Sequence, residues 1–437
     1  VIDDADWPLA VPQSQAEIES IHKARKRLAV ERARQSKFLA PRVSSIDADR
    51  LDDPEEWRKI PVLTRDELRK LPAESFQRDF AVRSPPPALE LWRAGAASGK
   101  PLLYPRSAED VRYALGVSFR RIWPCIGAQP GEIAHVAFPL GVHPIGQLLL
   151  RSAQLEGLCT VWAGAGTATP GTTQLELIRD VRPAIVATPP SYGLRLAKLA
   201  ESLGHDLREY GVRKLLVGAE PLAEAQRARL ERQWNATVYD SFSVTEGGMV
   251  AVERDGTAGM AAWADLYLLE VVDPSSGRPV TEGEAGALVI TPLWTNSITP
   301  FLRWYTGDLV TLRRQPRTAD PFSVFPVLNY VLRTDGVFTL HGVELNHVEL
   351  EQFMFAQESI ADFRAEADEE DGLDVLRLQI EIQRDLDPLA CSDALRSAFK
   401  ARFELVPSVE VLVGGTLTRN FEAAPDSPRF ADRRRAS

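Results

Sequence analysis

Between Leu89 and Glu246 the chain alternates short apolar runs with segments of helical period, and few folds satisfy that rhythm. Ile133 to Phe138 predicts a strand, Gly146 to Gln154 a helix and Cys159 to Ala163 a strand. Thr173 with Glu176 is a capping box opening a helix to Val181. Ala184 to Ala187 is a short strand, Ser191 to Ser202 a helix, Lys214 to Val217 a strand and Leu222 to Trp234 a helix. Strands this apolar are covered on both faces, so the pattern specifies a parallel sheet under helices.

The flanks read differently. Residues 1–88 are polar and helical: Ile18, Ile21, His22, Ala24, Leu28 and Ala29 recur at helix spacing, and Thr64 with Glu67 caps a short helix through Leu68. Ser84-Pro85-Pro86-Pro87 marks a loop. Leu266–Val272 and Ala287–Thr291 read as an antiparallel pair with a long turn. The last hundred residues read as helix (Asn346–Phe355), hairpin (Ala361–Ala367 and Val375–Ile382 through Asp371-Gly372), helix (Asp393–Glu404) and strand (Val409–Val413). That order is α+β and ferredoxin-like. The expected architecture is a large α/β domain over 1–333, with parallel and mixed sheets under helices, and a small α+β lid over 334–437. Asp368-Glu369-Glu370-Asp371 reads as a solvated hairpin tip, and Arg433-Arg434-Arg435 as a loose tail.

Charge narrows the partners. Sixty-one acidic against fifty-one basic residues give a net −10, so nucleic acid is not expected as a partner. Cys125, Cys159 and Cys391 have no metal-ligand spacing, which fits a reduced cytoplasmic setting. Neither a signal peptide nor a membrane-spanning run is read.

Four segments carry candidate chemistry. In Ala94-Gly95-Ala96-Ala97-Ser98-Gly99-Lys100-Pro101, small residues let backbone N–H groups approach an anion, and Ser98, Gly99 and Lys100 supply donors. Phe242-Ser243-Val244-Thr245-Glu246-Gly247-Gly248 follows a strand at Thr237–Tyr239. Its aromatic ring suits a purine, and its adjacent hydroxyl and carboxylate suit a phosphate with Mg²⁺. Arg303-Trp304-Tyr305-Thr306-Gly307-Asp308 ends on a carboxylate able to accept from both ribose hydroxyls. Arg333-Thr334-Asp335-Gly336 joins a phosphate or ribose clamp to a hinge-like turn, with Gly342, Glu349 and Glu351 beyond. Each segment alone is also what an ordinary turn or strand exit shows.

Together, in this order and spacing, they resemble the adenylate-forming superfamily of acyl-CoA synthetases, adenylation domains and luciferases, within it the phenylacetate–CoA ligase branch. The likeness runs from Trp57-Arg58-Lys59-Ile60-Pro61 to Arg429. It includes Thr188-Pro189-Pro190-Ser191-Tyr192, Gly218-Ala219-Glu220-Pro221-Leu222 and Gly283-Glu284-Ala285-Gly286. The resemblance implies a two-step reaction. A carboxylate attacks the α-phosphate of ATP, giving an acyl-adenylate and pyrophosphate; the small domain rotates, and a thiol, usually that of CoA, displaces AMP.

It also implies roles by position. Ser98, Gly99 and Lys100 lie in the phosphate loop, and Phe242 stands against adenine beside Ser241. Thr245 meets the α-phosphate and Glu246 the Mg²⁺. Asp308 holds the ribose, and Arg333 contacts it or the phosphate. Gly218, Ala219 and Glu220 line the adenine and acyl pocket, whose walls include Pro139, His143, Ile145, Val217 and Ser241. Asp335 is the hinge, and His341 and Gly342 border the pantetheine channel. Expected partners are a small, planar or aromatic carboxylic acid, ATP, and CoA or a carrier protein, with a homodimer as a candidate assembly.

Two departures stand out. The phosphate loop of this branch usually reads Ser-Ser-Gly-Thr-Thr-Gly-Lys-Pro, and Ala96 and Ala97 replace its central glycine and first threonine. The family's closing Leu-Pro-Arg-x-x-x-Gly-Lys matches Leu417 to Arg429, but its lysine position falls near Ala423 or Asp426, and the last lysine is Lys400. Arg419 and Arg429 are candidate substitutes. Three readings follow: an aryl acid–CoA ligase; a specialised relative, as in secondary metabolism, that passes an adenylate to an amine or carrier or performs one half-reaction; and a non-catalytic nucleotide-binding homologue.

Overall fold

A computed structural model describes residues 9–94, 102–141, 143–165, 169–334, 337–340, 343–370, 373–423 and 429–434. Contacts divide the chain into two compact units: residues 1–132, 140–160 and 239–331, and residues 133–139, 161–238 and 332–437. One segment thus begins beside the expected break at 333/334, but it shares its unit with 133–139 and 161–238.

In the first unit, helix Gln15–Gln35 starts where Ser14 Oγ accepts from Glu17 N–H at 3.2 Å, and it buries Ile18, Ala29, Val30 and Ala33. The Thr64–Glu67 capping box is present. A second box, Ser107 with Asp110, opens helix Ala108–Tyr113, which widens into a π-helical stretch over Ala114–Phe119. The mainly antiparallel sheet runs in the order 267–272, 285–292, 304–313, 327–333, 260–262, 248–253, 237–244. The expected pair is there as Tyr267–Val272 against Ala285–Pro292, the first strand one residue shorter and the second longer than expected. Hairpin 88–93/103–107 was not read, because Leu89 and Leu91 lie on its exposed side and break the apolar pattern. One core gathers Val30, Trp57, Phe80, Tyr104, Leu288, Phe301 and Trp304. Each such side chain contributes about 1.5–3 kcal/mol when fully buried.

In the second unit, strands Ile133–Val136, Ile185–Thr188 and Lys214–Gly218 pair in parallel. The helices Gly171–Val181, Pro190–Ser202 and Glu224–Trp234 belong to the same unit, as the rhythm required. The Thr173–Glu176 box is not used. Pro170, extended at ψ 158°, sets the start at Gly171, so Thr173 is already helical. Hairpin Ile360–Glu370/Leu373–Ile382 is flanked in parallel by Ser408–Val411 and Phe430–Asp432. Helix Pro388–Phe403 starts five residues before the expected Asp393, because Asp387 caps it through Ala390 N–H.

Two surface expectations need correction. Asp368 and Glu370 belong to the hairpin strand and pair with Arg377, so they are not a purely solvated tip. The basic end is not loose at Arg433 and Arg434. Arg433 pairs with Glu366 and Arg434 with Asp374 and Asp432, beside the last strand.

Candidate functional site

Strands Thr237–Val244 and Gly248–Glu253 form a hairpin whose turn is Thr245-Glu246-Gly247. Glu246 is 2% exposed. Its Oε1 accepts from Tyr104 Oη at 3.2 Å and lies 3.6 Å from Arg65 Nη2. Burial and this carboxylate push the Tyr104 phenol well above its ordinary range, so the hydroxyl stays a donor.

The turn is fixed from two sides. Arg106 Nη2 donates to Thr245 O at 2.9 Å and Glu246 O at 2.7 Å. Ser118 Oγ, in the π-helical stretch, donates to Met249 O at 3.0 Å and accepts from Met249 N–H at 2.9 Å. The glycines have a steric cause. A Cβ on Gly247 would stand 2.7 Å from Tyr267 Cε1, and Gly248 sits at φ +117°. Strand residues two apart share a face, and Tyr104 and Arg106 obey that rule. This period is the one sequence signal that could have found them.

The other candidates of the first unit spread over neighbouring strands. Asp308 is buried on strand Trp304–Arg313, and its N–H donates to Thr306 Oγ1 at 3.1 Å. Arg303, at φ +48°, is committed elsewhere: it pairs with Glu270 and donates to Ile60 O at 2.6 Å. Ser241 is buried beside half-buried Phe242, whose ring lies 6.2 Å from that of Tyr330. His143 precedes helix Pro144–Leu155, the helix that carries Ile145. Arg93 Nη1 lies 3.0 Å from His143 Nε2, within hydrogen-bond distance.

In the second unit the candidates collect at the carboxyl ends of the parallel strands, the edge where open α/β sheets bind ligands. Pro139 follows the first strand, and Val217 pairs with Thr188 between the other two. Gly218 closes its strand, and Ala219 adopts φ +66°, a left-handed conformation strained for a residue with a Cβ. Glu220 accepts from Ser191 N–H at 3.1 Å and Ser191 Oγ at 2.8 Å, capping helix Pro190–Ser202. Arg333 ends strand Val327–Arg333 and is half-buried.

Ser98, Gly99, Lys100, Asp335, His341, Gly342 and Asp426 lie outside the described residues. Both arginines proposed for the lysine role are engaged. Arg419 is exposed and donates to Thr416 Oγ1 at 3.1 Å. Arg429 is buried, hydrogen-bonds Asp362 and the Phe363 carbonyl, and lies 3.6 Å from Glu351. Burial, with the neighbouring Glu220 and Asp362 charges, outweighs Arg429 and pushes the Glu351 carboxyl up to about 8.

Magnesium takes one or two carboxylates and fills its other positions with phosphate and water. Glu246 fits that demand, because among the described residues its side-chain contacts fall on Oε1. Among the described residues no three His, Cys, Asp or Glu side chains cluster as a metal cage, and no helix is long and apolar enough to cross a membrane. A groove of about 460 Å³, lined by Ile18, His22, Lys26, Trp57 and Leu268, contains none of the candidates.

Comparison with known proteins bears on the family and the fold. The AMP-binding enzyme family matches residues 117–293. The phenylacetate-coenzyme A ligase of Thermus thermophilus is 30% identical over 305 residues, 68% of this chain and 67% of its own. That of Escherichia coli is 28% identical over 352 residues, 79% of this chain and 77% of its own. The crystal structure of 2-hydroxyisobutyryl-CoA ligase in the postadenylation state, in complex with R3-HIB-AMP, superposes with a TM-score of 0.82 at 21% identity, covering 96% of this chain and 90% of that one. Anthranilate CoA ligase in complex with anthranoyl-AMP gives 0.56 at 17% identity, covering 83% and 73%. These two likenesses establish the fold.

Proposed function

Because this chain belongs to the adenylate-forming superfamily, in its phenylacetate–CoA ligase branch, we propose that it is an ATP-dependent acid–CoA ligase acting on an aromatic carboxylic acid. The acid's carboxylate oxygen bonds to the α-phosphorus of ATP as pyrophosphate leaves. The CoA thiol, losing its proton, then bonds to the acyl carbon as AMP leaves. Thr245 contacts the α-phosphate, Asp308 the ribose hydroxyls and Arg333 the ribose or phosphate. Ser98, Gly99 and Lys100 cradle the phosphates, and Phe242 and Ser241 flank adenine. Gly218, Ala219 and Glu220 line the adenine and acyl pocket, with Pro139, His143, Ile145, Val217 and Ser241 in its acyl walls, and Ser191 holds the Glu220 carboxylate. Asp335 is the hinge, and His341 and Gly342 border the CoA channel. Glu246 would hold Mg²⁺, which supplies charge neutralisation at the phosphates when bound.

The observation that carries the reading is the Thr245–Glu246 turn, a buried carboxylate with no contact to its Oε2 among the described residues, on a braced hairpin. Pyrophosphate exchange and CoA-dependent AMP release over a panel of aryl acids test it. Glu246→Gln abolishes exchange; an unchanged rate refutes the metal assignment.

A second reading has its own support. The segment Leu417 to Arg429 that matches the family's closing motif holds no lysine, and Arg429 is committed to Asp362. Losing a positioned charge costs about 10²–10³ in rate. Exchange without CoA dependence then points to an amine or carrier-protein acceptor, and nucleotide binding without exchange to a non-catalytic homologue.

A further inference from the structure

We infer that Arg106 is a positioning residue for nucleotide binding, setting the Thr245–Glu246 turn from beneath while Tyr104, on the same strand, sets the Glu246 carboxylate. The inference rests on the reading that this turn meets metal-bound nucleotide.

Arg106 is 0% exposed. A buried guanidinium normally has a carboxylate partner, because desolvation costs several kcal/mol. Arg121, equally buried in the same unit, follows that rule with a bidentate pair to Asp265 at 2.8 and 2.9 Å. Arg106 does not: it has no ion-pair partner among the described residues. Its acceptors are neutral: Thr245 O, Glu246 O, Thr295 O at 3.1 Å and Thr299 Oγ1 at 3.1 Å. Trp92 lies under the guanidinium at 5.0 Å, with Phe301 at 5.8 Å.

This arrangement has two consequences. Two successive carbonyls are drawn to one nitrogen, and a trans peptide sets each carbonyl opposite the next N–H. The Glu246 N–H therefore points away from Arg106, and it makes no hydrogen bond within the described residues. The positive charge touches no carboxylate among the described residues, though Asp110 and Glu246 lie near enough to be felt, and it adds to the field on whatever anion the turn faces. A lysine ammonium would carry the charge but not the fork that spans both carbonyls. Tyr104 completes the device by occupying Oε1 of Glu246.

The test is calorimetric binding of ATP, with and without Mg²⁺, to the full chain and to Arg106→Lys and Tyr104→Phe, with melting temperatures and KM values for ATP and acid alongside. Arg106→Lys is expected to weaken MgATP binding roughly tenfold and to raise the KM for ATP but not for acid. Tyr104→Phe, which keeps the ring, should narrow the affinity gap between MgATP and free ATP by about threefold, and it decides the question if Arg106→Lys does not fold. Arg121→Lys serves as the buried-arginine control and should change the melting temperature without changing that gap. Both test variants binding MgATP like the parent, whatever their melting temperatures, would overturn the inference alone. A parent chain that binds no ATP with or without Mg²⁺ would overturn the functional reading, and this inference with it.

Discussion

Arg195 on helix Pro190–Ser202 donates through Nε to Oδ2 of Asp362, 2.9 Å away and 167 residues later in the chain. Both are buried, and Arg429 approaches the other carboxylate oxygen. Two guanidinium groups thus share this carboxylate, which they hold well below the ordinary range despite burial. Asp362→Asn removes the carboxylate that both cations share and should cost about 3–5 kcal/mol, read as a lower denaturation midpoint. A loss below ~1 kcal/mol would mean that water or other acceptors replace the carboxylate.

Glu351 gives a pH dependence of definite sign. Its carboxyl is pushed up to about 8 by burial, against an ordinary value of 4.5. Arg429 opposes that rise, and Glu220 and Asp362 add to it. The folded protein therefore holds a proton that the unfolded chain has released, and its stabilising share is lost as pH rises from about 4.5 through 8. Asp362 contributes in the opposite sense, but only as pH falls through the acidic range. Glu351→Gln should melt at least ~3 °C above the parent at pH 8.5, with the gap closing by pH 5. Parallel melting curves across that range would remove Glu351 as the cause.

These two clusters also mark what the sequence could convey. The parallel strands were legible because Ile133–Val136, Ile185–Thr188 and Lys214–Gly218 are buried on both faces and leave apolar runs. The Thr245–Glu246 and Asp308 motifs were legible as short spacings. Arg106 was not, because its carbonyl partners lie 139 to 189 residues away and a backbone acceptor has no sequence identity. Arg429 was read only as a lysine substitute, since nothing local shows that Asp362 will claim it. Phe430–Asp432 was missed for a simpler reason: three residues are too few for periodicity, and tertiary pairing decides them.

Ala219 carries strain that glycine would relieve. Its φ of +66° costs a residue with a Cβ about 1–2 kcal/mol, and glycine returns roughly half of that as unfolded-chain entropy. Ala219→Gly should therefore stabilise the protein by about 0.5–1 kcal/mol in denaturant unfolding. The proposed adenine and acyl pocket would then be looser, so the KM values for acid and for ATP should both rise. A destabilised variant would show that the Ala219 methyl packs usefully enough to outweigh the strain.

Gly247 offers the opposite case, where a methyl group has nowhere to go. A Cβ there meets Tyr267 Cε1 at 2.7 Å, and that contact is with the body of a ring that is 1% exposed, not with a flexible chain end. The ring cannot withdraw, so the turn must. Its displacement would stretch the Arg106 bonds to Thr245 O and Glu246 O and move the Glu246 carboxylate from Tyr104. Gly247→Ala should lose about 1–3 kcal/mol of stability and at least tenfold in MgATP affinity. Shortening the obstructing ring by Tyr267→Leu in the same chain should recover part of the affinity. Recovery of stability without affinity would show that the turn had found a second packed position, one from which Glu246 no longer reaches the nucleotide.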